Sequence, residues 1–189
     1  FNIPDALVGG VHTITLAYDG PDGGTVPDAL PIITDALIID GTSEPDFSGT
    51  PVIELNGNNV GTGVQGLTLG AGSSGSTIRG LIVNRFSGTG IDITGSSNHT
   101  IQGNWIGLNS TGTAAAANGG KGLYAINSSG LLIGGTSAAE RNVISGNAEQ
   151  GIGFDNVDNS TISGNYVGTD ASGLAPLGMQ IGAVGDGAM

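Results

Sequence analysis

The chain has 189 residues, a formal net charge of −12, 37 glycines and no cysteine. Four Lys and Arg residues against sixteen Asp and Glu cannot supply the clustered positive charge that nucleic acids or anionic membrane surfaces require. The lack of cysteine excludes disulfides, thiolate catalysis and Cys-ligated zinc. No apolar run approaches the ~20 residues of a membrane-spanning helix, so we expect no membrane insertion.

Residues 1–75 form an irregular first part with several strand-like runs. These runs are VHTITL (11–16), LPIIT (30–34), ALIID (36–40), PVIELNG (51–57) and GLTL (66–69). Their alternating apolar residues can be buried, which argues against the disorder that a glycine-rich composition otherwise suggests. We predict early, longer-looped coils of the architecture that follows, with a separate small β domain as the alternative.

Residues 76–189 divide into four coils of unequal length: 76–98, 99–130, 131–159 and 160–189. The clearest repeat is TIQGNWIGLNSTGTA (100–114), which returns as TISGNYVGTDASGLA (161–175). Coils of unequal length that keep the same short apolar pieces are typical of a solenoid with insertions at one corner. We interpret 1–189 as a single solenoid domain and as a segment of a longer protein.

Each coil contains three short strand candidates separated by Gly, Asn and Ser turns. Such strands are stable only if each pairs with its counterpart in the next coil, about 4.8 Å away. The pattern therefore predicts an all-β parallel solenoid with inward apolar columns. These columns are Ile78–Ile101–Ile133–Ile162, Val83–Ile106–Ile144–Val167, Ile91–Leu123–Ile152 and Ile93–Ala125–Phe154.

Asn104, Asn142 and Asn165 occupy the same position beside a turn in three coils. We predict a ladder in which their amides hydrogen-bond to one another and to turn backbone. Metal ligation by these side chains is the alternative.

The motifs GNWIGLNSTGTA, GNYVGTDASGLA and IGGTSAAERNVISGN (133–147) resemble those of a bacterial repeat family of right-handed parallel β-helix proteins. Residues 29–57 resemble the opening coils that precede such repeats. The resemblance implies a right-handed parallel β-helix from a large secreted or cell-surface protein. That family is mostly without an assigned activity, so the resemblance implies no catalytic residues. More distant β-helix proteins include pectin- and alginate-degrading enzymes and phage tailspikes, a kinship that does not fix function.

The outward column of the second strands, Ile82–Trp105–Val143–Tyr166, carries two aromatic residues. Aromatic rings on a flat sheet can stack on sugar faces, so we consider a carbohydrate site at Trp105 and Tyr166, with Tyr124 and Asp92 on the neighbouring face. The alternative is that the loops 107–121 and 168–178 fold over the column and bury the rings.

A polysaccharide hydrolase needs two carboxylates roughly 5–10 Å apart. The outward column of the third strands, Thr68–Asp92–Tyr124–Gly153, contains one acid, and that of the first strands, Arg79–Gln102–Gly134–Ser163, contains none. Glu54 could pair with Asp92 only across an intervening coil, which is too far. We therefore assign no catalytic residues.

A structural calcium ion is the one candidate cofactor, at YDGPDGG (18–24) or VDN (157–159). His12 and His99 have no metal-ligand spacing.

These observations favour a non-catalytic structural or adhesive module in an extracellular or cell-surface bacterial protein. The alternative is a carbohydrate-binding or polysaccharide-degrading β-helix protein. A polysaccharide or another cell-surface ligand is the expected partner. The open strand edges of a solenoid end also favour end-to-end or side-by-side self-association.

Overall fold

The computed structural model describes residues 10–17 and 29–178. Short strands and two 3-10 helices, Gly41–Ser43 and Ala138–Glu140, make up its regular structure. The strands are β1 (His12–Ala17), β2 (Ile38–Asp40), β3 (Ile53–Asn59), β4 (Leu67–Leu69), β5 (Thr77–Arg79), β6 (Leu81–Asn84), β7 (Ile91–Thr94), β8 (Thr100–Gln102), β9 (Trp105–Ile106), β10 (Leu123–Ser129), β11 (Leu132–Gly134), β12 (Val143–Ile144), β13 (Ile152–Asp158), β14 (Thr161–Ser163) and β15 (Tyr166–Val167).

The strands form three parallel sheets, and successive strands of the chain belong to different sheets. Sheet A has the order β1-β3-β6-β9-β12-β15, sheet B has β13-β10-β7-β4, and sheet C has β14-β11-β8-β5-β2. The chain therefore passes from sheet C to sheet A to sheet B in each turn and then moves up by one coil. This is the predicted right-handed parallel β-helix with three strands per coil.

The irregular first part of the chain contributes strands to the same sheets. Strands β2, β3 and β4 pair with β5, β6 and β7 in register, and β1 pairs with β3. The predicted strand LPIIT yields a single parallel bridge, from Ile33 to Leu69, and not a strand.

The core lies between the three sheets, and the predicted inward columns are confirmed by the strand registers. Ile78, Ile101 and Ile133 are fully buried in one of these columns. Complete burial of such a side chain stabilises the fold by roughly 1.5–3 kcal/mol. Ile162 ends the column and is 48% exposed, because no described strand stacks on β14.

The predicted asparagine ladder is also confirmed. Asn104 Nδ2 donates to Asn142 Oδ1 at 3.1 Å, and Asn142 Nδ2 donates to Asn165 Oδ1 at 3.0 Å. Each amide nitrogen also donates to a main-chain carbonyl of the preceding coil, those of Ile78, Ile101 and Ile133. Side chains therefore join the coils at this corner in addition to the β-ladders.

A second buried ladder, Asn118 to Asn147, escaped the sequence analysis. Asn118 Nδ2 donates to Asn147 Oδ1 at 2.9 Å and to the carbonyl of Val83 at 3.1 Å, while Asn118 Oδ1 accepts from Phe86 N. The two asparagines lie in unlike sequence contexts, one of them after an insertion, so no repeated motif pointed to the pair.

Strands β10 and β13 extend beyond the runs GLYAI (122–126) and GIGF (151–154), which the sequence predicts as the third strands of their coils. Both strands continue through an asparagine, Asn127 and Asn156, with φ values of 50° and 52°. Asparagine tolerates this left-handed conformation, and Asn156 Nδ2 donates to Asn127 Oδ1 at 2.8 Å. The two strands therefore have the same left-handed residue at the same level, and β10 and β13 continue to pair beyond it, at Ser128–Val157 and Ser129–Asp158.

Candidate functional site

The outward column of sheet A has the predicted register. Trp105 pairs with Ile82 and Val143, and Val143 pairs with Tyr166. Ile82 and Val143 are buried, whereas both aromatic rings are partly buried. The column is therefore neither a flat open platform nor a closed core.

The insertions account for this partial burial. Gly112, in the first insertion, lies so close to Trp105 that a Cβ on it would be 2.8 Å from the indole ring. Gly173 has the same relation to Tyr166, at 2.6 Å. Both glycines have positive φ, 69° and 76°, which a side chain would disfavour. Each insertion therefore folds back over part of its own ring, as the alternative interpretation expected, and leaves the remainder accessible.

Beside Trp105 is a hollow of about 220 Å³. Phe47 and Thr50 approach it from the loop that precedes β3, and Arg141 approaches it from the residue before Asn142. Small residues form much of its remaining wall: Gly103, Ala138, Ala139 and Ala171. The volume is below the ~300–1,000 Å³ of sites for drug-sized ligands, so it suits a single ring or charged group.

Arg141 is held in place by the following coil. Its guanidinium lies 4.2 Å from the centroid of the Tyr166 ring, and its Nε donates to the carbonyl of Gly164 at 2.9 Å. Tyr166 is thus covered by Arg141 on one face and approached by Gly173. Of the two predicted aromatic residues in sheet A, Trp105 therefore lines the hollow and Tyr166 supports it.

Tyr124 and Asp92 lie apart from this hollow, side by side in sheet B. Lys121 Nζ is 4.7 Å from the Tyr124 ring centroid and forms an ion pair with Glu149 at 3.1 Å. Burial raises the pKa of Asp92, while the Thr94 hydroxyl, 3.0 Å away, and the charge of Lys121 act in the opposite direction. The four predicted carbohydrate-binding residues thus occupy two faces.

Glu54 belongs to sheet A, not to the column of Asp92. It pairs with Ile82, and its carboxylate is buried and accepts hydrogen bonds from Thr13 Oγ1 and Asn84 Nδ2, both at 2.7 Å. Arg85 Nη1 lies 3.4 Å from the same carboxylate. The expected intervening coil is wrong, because β3 and β4 of one coil pair directly with β6 and β7 of the next. Glu54 and Asp92 are in adjacent coils and are separated because they lie in different sheets.

Of the two calcium candidates, the structure describes VDN alone. YDGPDGG lies outside the described residues, and Asp158 of VDN is used through its main-chain carbonyl, which accepts from Gly130 N and Ser160 Oγ. Within residues 10–17 and 29–178, no three His, Cys, Asp or Glu side chains form a group that could hold a metal ion.

The residues that sequence reasoning missed at the hollow are Phe47 and Arg141. Arg141 directly precedes an asparagine of the ladder, and Tyr166 directly follows another, so the stacking of adjacent coils brings them together. Phe47 gave no signal, because the loop that holds it has no counterpart in the regular coils.

Neither 3-10 helix in the described ranges has the length or hydropathy of a membrane-spanning segment. Comparison of the chain with protein-family models, with characterised proteins and with solved structures gives no match. The resemblance to the bacterial β-helix repeat family therefore stays a prediction.

Proposed function

We propose that the chain is a non-catalytic structural and adhesive module of a secreted or cell-surface bacterial protein. The observation that carries this proposal is the Asn104–Asn142–Asn165 ladder, which joins three coils through side-chain hydrogen bonds. Asn104 and Asn142 are fully buried. A buried and fully satisfied polar network rigidifies the structure around it, which suits a rigid spacer.

Digestion of the full chain with thermolysin tests the structural half. Proteolysis of a folded chain requires local opening, which coil-to-coil hydrogen bonds and a continuous core oppose. We expect one large resistant fragment that contains the described coils, and faster loss of that fragment in Asn104→Ala. Rapid conversion of the unmodified chain to small peptides would contradict a spacer role.

A carbohydrate-binding surface is the second candidate, and the hollow beside Trp105 favours it as the adhesive contact. Trp105 is the sole tryptophan, so its fluorescence reports on this hollow alone. We expect a saturable change in Trp105 fluorescence with some polysaccharides. Calorimetry should then show no binding to Trp105→Ala and unchanged binding to Tyr124→Ala, whose substitution lies on sheet B. Equal loss in both variants would remove the support for this surface.

Polysaccharide degradation has less support, because Glu54 and Asp92 belong to different sheets. Assays for new reducing ends and for unsaturated products on the same panel of polysaccharides test this directly. Turnover that survives rigorous purification would overturn the non-catalytic proposal.

A further inference from the structure

The charge of Arg141 is immobilised, and no carboxylate of the described residues forms an ion pair with it. The other three basic residues form ion pairs, Arg79 with Asp40 at 2.6 Å, Arg85 with Glu54 at 3.4 Å and Lys121 with Glu149 at 3.1 Å. In the part of the chain that the structure describes, no carboxylate lies within 4.0 Å of the Arg141 guanidinium. Arg141 is thus the one Lys or Arg side chain without an ion-pair partner among residues 10–17 and 29–178.

The acid next to it in sequence is engaged elsewhere. Glu140 Oε2 accepts a hydrogen bond from Ser137 N at 2.8 Å, which closes the turn of the second 3-10 helix. Hydrogen bonds from Ser137 lower the pKa of Glu140. The carboxylate is therefore satisfied within its own turn and does not neutralise Arg141.

The remaining N–H donors of Arg141 have no partner in the described part of the chain. A guanidinium has five N–H donors, and among the described residues only Nε donates, to Gly164. The stacking on Tyr166 fixes the plane of the group. The unused Nη donors belong to the planar guanidinium, which binds carboxylates in a bidentate manner. Because the Arg141 side chain is already held in place, binding a carboxylate costs little additional side-chain entropy.

The walls of the hollow specify the rest of the ligand. Trp105 and Phe47 supply apolar aromatic surface, and the exposed Thr50 supplies a hydroxyl. Sugar rings present an apolar C–H face that packs on indole, and their hydroxyls need polar partners. A ligand that combines one such face with one carboxylate matches every group present.

We propose that this hollow binds a uronate ring of an acidic glycan, with its carboxylate on Arg141 and its C–H face on Trp105. The inference deepens the adhesive half of the proposed function and rests on it. The net charge of −12 repels a densely charged polyanion. At 0.1 M salt, charges more than about 10 Å apart are largely screened, so the distant acidic residues repel a single carboxylate at Arg141 only weakly. The site therefore favours glycans whose acidic rings are separated by neutral sugars.

The test uses the full chain and two matched disaccharides. One contains a uronate linked to a neutral sugar, and in the other the carboxylate is reduced to the alcohol. Trp105 fluorescence and calorimetry are followed for both. We expect saturable binding of the acidic form and roughly tenfold to hundredfold weaker binding of the reduced form, because a charge-assisted hydrogen bond is lost.

Variants locate the effect. Arg141→Gln is expected to weaken binding of the acidic disaccharide by a similar factor. Arg141→Lys is expected to weaken it less, because lysine keeps the positive charge but lacks the planar pair of donors. Arg79→Gln removes the same charge on sheet C and serves as the control, with binding unchanged. Thermal unfolding of each variant verifies that the fold persists.

Three results would overturn the site: equal binding of the reduced disaccharide, unchanged binding in Arg141→Gln, or an equal loss in Arg79→Gln. Binding of a sulfated analogue in place of the uronate would also overturn the carboxylate assignment. If no disaccharide binds while the chain still resists thermolysin, this inference fails and the structural proposal stands. Rapid digestion would instead defeat the structural proposal, whatever the binding result.

Discussion

The second and fourth coils contain the same turn at two levels of burial. In each, a two-residue antiparallel bridge closes the insertion, between Leu108 and Ala115 and between Thr169 and Pro176. Asn109 Oδ1 accepts from two main-chain amides within the first turn, and Asp170 Oδ1 accepts from two within the second. The local sequence therefore determines the local hydrogen bonds wherever the coil lies.

The two coils differ in what covers them. Ile106 is fully buried, whereas Val167 at the equivalent position is 44% exposed. The fourth coil lies over the second at the insertions, where Ala171 N donates to the carbonyl of Gly112 at 2.9 Å. A coil is thus stabilised by the coils that pack on it. Equivalent substitutions should therefore lower the free energy of unfolding more in the second coil than in the fourth.

The largest contrast is expected between Asn104→Ala and Asn165→Ala. Loss of the Asn104 amide leaves the buried Leu81 N without this acceptor, at roughly 1–3 kcal/mol, and removes one hydrogen bond each to the carbonyl of Ile78 and to Asn142 Oδ1. We expect a loss of about 2–5 kcal/mol in the free energy of unfolding. Asn165 is partly exposed, so water can replace its bonds and about 1 kcal/mol is expected. Urea denaturation measures both, and equal losses would contradict the argument.

The next contrast is between Gly112→Ala and Gly173→Ala. Both residues have positive φ, which costs alanine about 1–2 kcal/mol. At Gly112 the new Cβ would also meet Ala171 Cβ at 2.6 Å as well as the Trp105 ring, and overpacking adds about 1–3 kcal/mol. At Gly173 the close contacts are all with the partly exposed Tyr166 ring, which has more room to move. Thermal denaturation should therefore rank Gly112→Ala as the more damaging, and the reverse order would refute the role of stacking.

His99→Ser makes the second coil resemble the fourth, where Ser160 occupies the equivalent position. Burial lowers the pKa of His99 below its ordinary value of 6.5, with a backbone contact to Ser76 in partial opposition. The unfolded chain therefore binds a proton that the folded chain does not, so stability falls as the pH drops through about 6.5. We expect the variant to lose about 1–2 kcal/mol at pH 7.5 through lost packing.

The same variant should show a flatter pH dependence between pH 7 and 5. Its deficit relative to the unmodified chain therefore shrinks in acid. Urea denaturation at a series of pH values provides the measurement. A constant deficit across this range would mean that His99 does not contribute to acid sensitivity.

The smallest effect concerns the turn residue that differs, Asp170 in place of Asn109. Hydrogen bonds, first from the Ser172 hydroxyl and then from main-chain amides of the turn, lower the pKa of Asp170. A lowered pKa adds stability above the ordinary value of 3.8 that is lost as the pH falls through the folded value. Asp170→Asn should therefore lower the unfolding temperature slightly at pH 7, and this difference should shrink as the pH falls below 3.8. Asn109→Asp is the reciprocal control and should raise the unfolding temperature at pH 7. The gain is expected to be smaller, because Thr111 stands where the fourth coil has the hydroxyl donor Ser172 and its hydroxyl contacts Thr113.

The repeats allowed much of the fold to be predicted, because in a solenoid one periodicity determines strand, register and core together. The columns through Ile101 and Ile106 and the ladder through Asn142 all follow from aligning coils of unequal length. Features without a repeated context were missed, such as Asn118, whose partner in the next coil is reached after an insertion. The candidate site was only half predicted, because the aromatic column is periodic while the hollow depends on Phe47, in a unique loop, and on a cation and a ring in different coils.

The contact between Arg141 and Tyr166 crosses from one coil to the next, which affects how such a protein can grow in evolution. Duplication of a single coil would lengthen the rod by about 4.8 Å without copying the hollow, because one half of the arrangement would be missing. Duplication of the third and fourth coils would copy the Arg141–Tyr166 contact but neither Trp105 of the second coil nor Phe47 of the loop before β3, so the hollow would still be incomplete. In this architecture the length of the rod and the number of binding sites can therefore change independently, and coil duplication can lengthen the rod without changing its binding sites.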